Sequence, residues 1–418
     1  MVKRAVIIAH NHPRVQPGGA EIAAFDLART LPQLQIETLF LTSTAGPVAA
    51  QPVTAVSTGG LGMPTREVQF CGDDYDYFWH RHRAADHLTG PFLDEITVWK
   101  PDVIHWHHFL RIGVEGMSLL KRRFSNIPHL LTLQEYLPLC YRDGQLVRRG
   151  SEKLCSGPSP TKCHRCFKQI SAEKFAARKV WLQANMNQID RFIAPSYFLA
   201  ERYIDWGIPR ERLEILDYGR PIQTIAPHRP LAPGERRNRF AYFGQITPYK
   251  GLLVLLRAAE LLGKNTKQPW SLDIYGNLNE TGFPKLTKEF NRLLQRTRRH
   301  VRFHGPYEPS ELPLLMANID WVIVPSTWWE NSPLVIREAF GHRRPVIVSD
   351  AGGMAEKVRE GVDGLRFQIG KPAALAGVMR VVLHDPSWWP RLVSNIRPPA
   401  GLTEYAQSHI DIYNKLHG

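Results

Sequence analysis

Two glutamates separated by seven residues, Glu330 and Glu338, carry the strongest chemical signal in the chain. Glu330 follows the apolar run Trp321–Pro325, and the segment Asn331-Ser332-Pro333-Leu334 lies between the two acids. Pro333 suits a first helical turn, where its missing N–H costs little. The unbonded N–H groups from Asn331 to Leu334 would then form a helix N-terminus suited to phosphate. Glu338 would stand about 7 Å further along that helix, at the usual rise per residue. Carboxylates accept paired hydrogen bonds from vicinal hydroxyls, so a sugar on one side of a phosphate and a ribose on the other fits the spacing. The competing reading is two solvated acids near a helix start, a place the helix dipole favours anyway.

Two further clusters invite chemistry. In His105-Trp-His107-His108, strand alternation puts His105 and His107 on one side. They serve either as hydroxyl contacts and a proton relay or as a packed structural pair. No carboxylate stands at a clear ligand spacing from them. Cys140, Cys155, Cys163 and Cys166 are four of the five cysteines. The close Cys163-His-Arg-Cys166 pair is compatible with a structural zinc held by four thiolates, or by three with His164. A disulfide pair or four unligated thiols are the alternatives.

Composition narrows the class. The chain has 418 residues, of which 43% are hydrophobic and 22% charged, so two globular domains are expected. No apolar run approaches a membrane span, and Ala5–Ala9 is too short for the apolar core of a signal peptide. A cytoplasmic protein is expected, and five cysteines are no disulfide scaffold there. The net charge of +14 suggests a polyanionic partner, whether nucleic acid, an anionic membrane or a phosphorylated ligand.

The elements that must position these residues alternate. Strands are expected at Lys3–His10, Ile36–Thr42, Asp102–Trp106, Leu130–Leu133 and Arg191–Pro195, with helices Ala20–Leu31, Ile112–Leu120 and Ser171–Met186 among them. A second series runs Phe240–Phe243, Leu272–Tyr275, Val301–His304, Trp321–Pro325 and Val346–Ser349, followed by an extended Leu365–Gln368. Its helices are Leu252–Leu262, Lys285–Arg296, Ser310–Asn318, Pro333–Phe340 and Met354–Arg359, and Thr403–Leu416 ends the chain. Prolines 221, 227, 230 and 233 separate the two series. The fold class is therefore α/β, two doubly wound Rossmann-like domains facing a cleft. The expected division is residues 1–222 with a cysteine-containing insertion at 138–168, a linker at 223–238, a second domain at 239–400, and a helix at 401–418 returning to the first domain.

Several motifs recur at strand-to-helix loops: Pro17-Gly-Gly-Ala-Glu21, Phe243-Gly-Gln-Ile-Thr-Pro-Tyr-Lys-Gly251, Val301-Arg-Phe-His-Gly305, Pro325-Ser326, the Glu330/Glu338 pair, and Pro345-Val-Ile-Val-Ser-Asp-Ala-Gly-Gly353. In this order they resemble the GT-B glycosyltransferases of the retaining family 4 type. The resemblance covers most of the chain. It implies a retaining hexosyltransferase using a nucleotide diphosphate sugar such as a UDP- or GDP-sugar, with a glycan or lipid-linked acceptor and a place in surface polysaccharide or glycolipid synthesis. Catalysis needs no metal in this reading; zinc at the cysteines would be structural.

By the same resemblance Gly18 and Gly19 approach the diphosphate, Lys250 stabilises it, Glu330 holds the transferred sugar and Glu338 the ribose. Gly244, Gln245, Gly276, Tyr307, Asn331, Ser332, Pro333 and Leu334 complete the donor side. The acceptor side is His105, His108, Gln134 and Glu135, and Glu330, Lys250 and His107 form the catalytic set. Two positions depart from the family pattern: Gln245 stands where an arginine is usual, and Gln134 where a histidine is usual. Lys121-Arg-Arg123 would add peripheral contact with an anionic membrane. A sugar-nucleotide epimerase or hydrolase on the same fold is the nearest alternative. A zinc-containing nucleic-acid binder is a more distant one, because the basic residues are dispersed and no nucleic acid is expected as partner. No Gly-x-Gly-x-x-Gly follows the first strand, which disfavours a dinucleotide enzyme.

Overall fold

Short runs of β-branched and aromatic residues become strands here because both their faces are covered. In the computed structural model, which describes residues 1–15, 18–44, 53–57, 65–71, 74–83, 90–221 and 224–417, the chain forms two compact units. The first is Met1–Gly219 with Ala400–Gly418, and the second is Arg220–Pro399. Pro17 lies outside the described residues, as do residues 222 and 223, where the expected domain boundary falls.

The first unit is built on an eight-stranded sheet. Its strands are β1 (Arg4–His10), β2 (Glu37–Thr44), β3 (Val53–Ser57), β4 (Thr65–Cys71), β7 (Val103–Trp106), β8 (His129–Thr132), β9 (Arg191–Ala194) and β10 (Leu213–Ile215). A two-stranded hairpin, β5 (Tyr75–Asp76) and β6 (Arg81–His82), lies outside it. The order is β10-β9-β8-β7-β1-β2-β4-β3, parallel except for the β3–β4 pair. Strand order reverses at β1, between β2 on one side and β7 on the other. Loops leaving β1 and β7 therefore flank the switch point, where open parallel sheets hold ligands.

The helix Leu402–Leu416 belongs to this unit. Its Tyr405, Ala406, His409, Ile410, Ile412 and Tyr413 are buried, and Asn414 Oδ1 accepts from the Val2 amide at 3.0 Å.

The second unit has a six-stranded parallel sheet: β11 (Arg239–Phe243), β12 (Ser271–Tyr275), β13 (Val301–Gly305), β14 (Trp321–Val324), β15 (Val346–Ser349) and β16 (Gly364–Phe367). The order is β13-β12-β11-β14-β15-β16, so its switch point lies between β11 and β14. Alternation is visible in the packing. Phe240, Tyr242, Trp321 and Ile323 enter one core with the helix Leu252–Asn265. Ala241, Phe243, Val322 and Val324 enter the core on the opposite face with the helix Leu334–Gly341.

The expected linker at 223–238 is corrected. Beyond the two undescribed positions this stretch is strapped to the second unit. Arg229 and Arg237 share the fully buried Asp320 at 2.9 and 3.1 Å, and Arg344 donates to the carbonyls of Ala226 and Pro227 at 3.2 and 2.6 Å. Proline-rich chain has few backbone donors of its own, so side chains from the domain satisfy its carbonyls.

No helix among the described residues is long and apolar enough to cross a membrane. In the basic run Lys121–Arg123, Lys121 is engaged by Asp190 at 2.7 Å, which leaves only Arg122 and Arg123 of the three for an outside anion.

Candidate active site

The switch point of the second unit is assembled by three loops that touch through their backbones. The first, 244–251, leaves β11. It is anchored by Gly244 N–H to Tyr275 O at 3.1 Å and Ile246 N–H to Asn277 O at 2.9 Å. The second, 325–333, leaves β14 and donates from Thr327 N–H to Tyr249 O at 2.7 Å. The third is the turn into the helix Gly352–Lys357, where Gly353 N–H bonds Glu330 O at 2.7 Å.

Two glycines permit this closeness. Gly251 has φ +74°, and a Cβ there would overlap the carbonyl of Pro325; a Cβ on Gly353 would overlap the carbonyl of Asn331. Gly251→Ala is therefore expected to cost about 2 kcal/mol, from the left-handed conformation and the overlap together. Urea unfolding of the variant checks it. A loss below a few tenths of a kcal/mol would mean the loops can part freely.

This packing puts Lys250 against Glu330. Lys250 Nζ meets Glu330 Oε1 at 2.7 Å, and Ser326 Oγ donates to the same oxygen at 2.8 Å. The ammonium also lies 5.6 Å from the Trp328 ring centre. Burial pushes the Glu330 carboxyl up, but the Lys250 charge and the hydrogen bonds of Lys250 and Ser326 outweigh it, and the group ends below the ordinary carboxylate range. Glu330 is thus an anion with one oxygen already occupied.

Glu338 lies on the helix Leu334–Gly341 and pairs with Arg220. Both side chains are largely buried, at 15% and 13% exposure. Pro333 is the residue preceding that helix, with ψ 118°, so it caps the helix and does not occupy its first turn as expected. The N–H groups of Leu334 onward still open the helix beside Glu330.

An aromatic tier closes the other side. Phe243 stacks on Tyr275 at 5.0 Å and Tyr275 on His304 at 4.6 Å, while Tyr307 meets Phe243 edge-on at 5.5 Å. His304 Nε2 is held by Asp273 at 2.8 Å. Gly276 N–H bonds Gly305 O at 2.7 Å, joining the ends of β12 and β13. Gln245 is exposed, and its carbonyl accepts from Tyr242 at 2.8 Å.

In the first unit the expected residues meet at the β1/β7 switch point, with different standings. His105 is completely buried. Its Nδ1 meets Tyr413 Oη at 2.7 Å and its Nε2 meets Thr132 Oγ1 at 2.8 Å. Both ring nitrogens are spent inside the fold, which corrects the acceptor-side expectation for His105.

His107 is corrected too. It is 1% exposed, burial holds its ring neutral, and its Nδ1 is 3.0 Å from Gln134 Nε2. Tyr218 Oη donates to Gln134 Oε1 at 2.5 Å. His107 is therefore a buried partner that orients Gln134, not a group open to reacting atoms.

His108 and Glu135 form a second pair at 3.4 Å. Burial pushes Glu135 up to about 8, against the pull of the Leu137 N–H and Arg178. Burial also lowers His108. The pair is a neutral carboxyl facing a neutral imidazole at pH 7. Gly18 and Gly19 open the helix Gly19–Thr30, where the Glu21 carboxylate lies over Gly18 and bonds His10 at 3.0 Å. That helix start already carries its own carboxylate.

Sequence reasoning missed Arg220, Tyr218 and Arg178. Arg220 had one available signal, a cation directly after the Tyr218-Gly219 turn at the edge of the second unit. Arg178 had none, being one arginine in an ordinary helix. It is 4% exposed and donates to the carbonyls of Phe78, Pro138 and Leu137 at 2.7, 2.6 and 2.9 Å.

Comparison with known proteins gives this geometry a lineage. The family model for glycosyl transferases group 1 matches residues 226–398, and that for glycosyltransferase family 4 matches residues 17–220. A D-inositol 3-phosphate glycosyltransferase of Rhodococcus erythropolis strain PR4 is 30% identical over 411 residues, covering 92% of this chain and 84% of that one. The chain belongs to the family 4 type of GT-B glycosyltransferases.

The glycosyltransferase also shares its fold with solved structures. Sucrose-phosphate synthase from Thermosynechococcus elongatus superposes with TM-score 0.69 at 18% identity, over 99% of both chains. Anabaena Alr3699/HepE in complex with UDP and glucose does so with TM-score 0.66 at 17% identity, over 99% of this chain and 100% of that one. Lys250 is the cation that the 244–251 loop presents beside Glu330, and Gln245 in the same loop carries no charge. Among the described residues, no group of three or more His, Cys, Asp or Glu side chains is gathered about a point that would hold a metal.

Proposed function

We propose that this glycosyltransferase moves a hexosyl group from a nucleoside diphosphate to a hydroxyl of a glycan or lipid-linked acceptor, with retention of configuration and without a catalytic metal. The observation that carries the reading is the Lys250–Glu330 pair at 2.7 Å beside the start of the helix Leu334–Gly341. A cation beside a helix start is what a departing diphosphate requires. The adjacent carboxylate is the acceptor assigned to sugar hydroxyls. Glu338, further along the same helix, is the ribose acceptor, and Arg220 fixes its rotamer.

Retention follows a front-face course. The bond from the anomeric carbon to the diphosphate oxygen breaks, and the acceptor oxygen bonds that carbon on the same face. The acceptor proton passes to the departing phosphate oxygen. The protein supplies orientation and charge. Uridine diphosphate is the first donor to test, supported by the UDP named for the Anabaena fold neighbour. We place the enzyme in the cytoplasm, at surface glycan or glycolipid synthesis.

Melting of the full chain with UDP-, GDP- and ADP-glucose tests the reading. A donor at 100 times its Kd should add about 2.7 kcal/mol of stability. Glu338→Gln should raise the donor KM by about 10-fold with kcat within a factor of three, the mark of binding shared by ground and transition states. If no sugar nucleotide raises the melting temperature, the donor assignment fails. Wild-type KM in Glu338→Gln would remove the ribose role alone.

A further inference from the structure

Between β8 and the helix Ala172–Met186 the chain leaves the sheet and makes a lobe of turns. Cys140, Cys155, Cys163 and Cys166 all line one cavity in it, of about 280 Å³. None of the four is in a disulfide, and all are partly exposed. Local structure brings them there. Cys155 N–H bonds Leu146 O at 2.7 Å, and Cys140 N–H bonds Tyr136 O at 2.8 Å. Ser159 caps the short helix Pro160–Cys166 by accepting from Lys162 N–H. Cys163 and Cys166, three residues apart on that helix, share a face.

The walls decide what such a cluster suits. Among the described residues lining the cavity there is no carboxylate; the charged ones are Arg142, Arg148, Arg149, Lys162 and Arg165. Oxygen-seeking cations find no ligand here. A soft divalent ion that takes four thiolates forms a complex of net charge −2, which the surrounding arginines and lysine would offset.

We propose that Cys140, Cys155, Cys163 and Cys166 together bind one zinc ion. His164 is left out of the set because it does not line the cavity. On loading, four S–H bonds are replaced by four Zn–S bonds and four protons go to water, with no change of oxidation state. The sulfurs are not gathered about one point in this structure, so loading turns the side chains inward. The bound ion would join the three pieces of the lobe and fix the chain just after Gln134 and Glu135. The inference is independent of the donor and acceptor assigned above.

The full chain, purified without added metal or chelator, should carry about one zinc by elemental mass spectrometry, and Cys163→Ser/Cys166→Ser should carry less than about a tenth of that. If the double variant does not fold, cobalt titration of the chelator-stripped wild type still decides. It should give the intense visible bands of a tetrahedral tetrathiolate at about one equivalent, with about four protons released per ion. Zinc-free wild type that gives no such bands overturns the proposal. An octahedral cobalt spectrum, or zinc retained in full by the folded double variant, overturns the ligand set.

Discussion

Lys250→Ala should lower kcat/KM for sugar transfer by about 10²- to 10³-fold, the usual loss when one charge-stabilising donor is removed from a transition state. The same change strands Glu330. That carboxylate is 8% exposed and faces Lys250 at 2.7 Å, so its burial would no longer be opposed by a cation. Lys250 itself is a third exposed, and solvent screening brings the stability cost down to about 2 kcal/mol.

The pH dependence separates this from a general weakening. In the wild type the Glu330 carboxyl lies below its ordinary range. Its contribution is therefore present above that range and lost as pH falls. In the variant the carboxyl is shifted upward, so ionisation opposes folding and the penalty grows as pH rises through 4 to 5, roughly the unperturbed carboxyl range. The gap in melting temperature between the two proteins should be small at acid pH and full at neutral pH. A gap that does not change with pH, or a variant that transfers sugar within threefold of wild type, would remove Lys250 from the role assigned to it.

The second large effect is on stability. Arg178→Met should cost about 3–5 kcal/mol and lower the melting temperature of the chain by about 10 °C. Burial pulls the guanidinium down to about 10, against the opposing influence of Cys140, Cys163 and Glu135, so it stays charged at neutral pH. Its three donated bonds reach two different stretches, the β5–β6 hairpin at Phe78 and the turn at Leu137–Pro138. Methionine fills much of the volume but leaves three carbonyls without donors. Arg178→Lys, with a single ammonium, should recover only part of the loss. Calorimetry of the three proteins is the measurement; a methionine variant melting within 2 °C or so of wild type would show that the carbonyls find other donors.

Most of the second unit's site could be read from residues because its parts are local. Lys250 stands at the end of one strand-to-helix loop and Glu330 in another, and doubly wound topology brings such loops to the switch point. Close backbone approach left its own trace in Gly251 and Gly353. The first unit was harder. His105 and His108 look alike at the end of one strand, yet His105 is covered by Tyr413, 308 residues later, and no periodicity reports what covers a strand end. Gln134 is singled out by the resemblance alone, and its bonds to His107 and Tyr218 depend on three separate segments. Strands β3 and β4 escaped notice because Val53–Ser57 and Thr65–Cys71 are too mixed in polarity for a buried parallel run. The strap at 224–238 reads as a linker by composition alone; only the arginines that grip it reveal otherwise.

The last helix of the chain has a bearing on biosynthesis. Because Leu402–Leu416 completes the first unit, a ribosome finishes that unit only after it has made all of the second. Until then the buried imidazole of His105 lacks its tyrosine, and the Val2 amide lacks Asn414. The nascent first unit must wait with an open flank while its neighbour folds, and a chain terminated at Gly219 would remain in that unfinished condition.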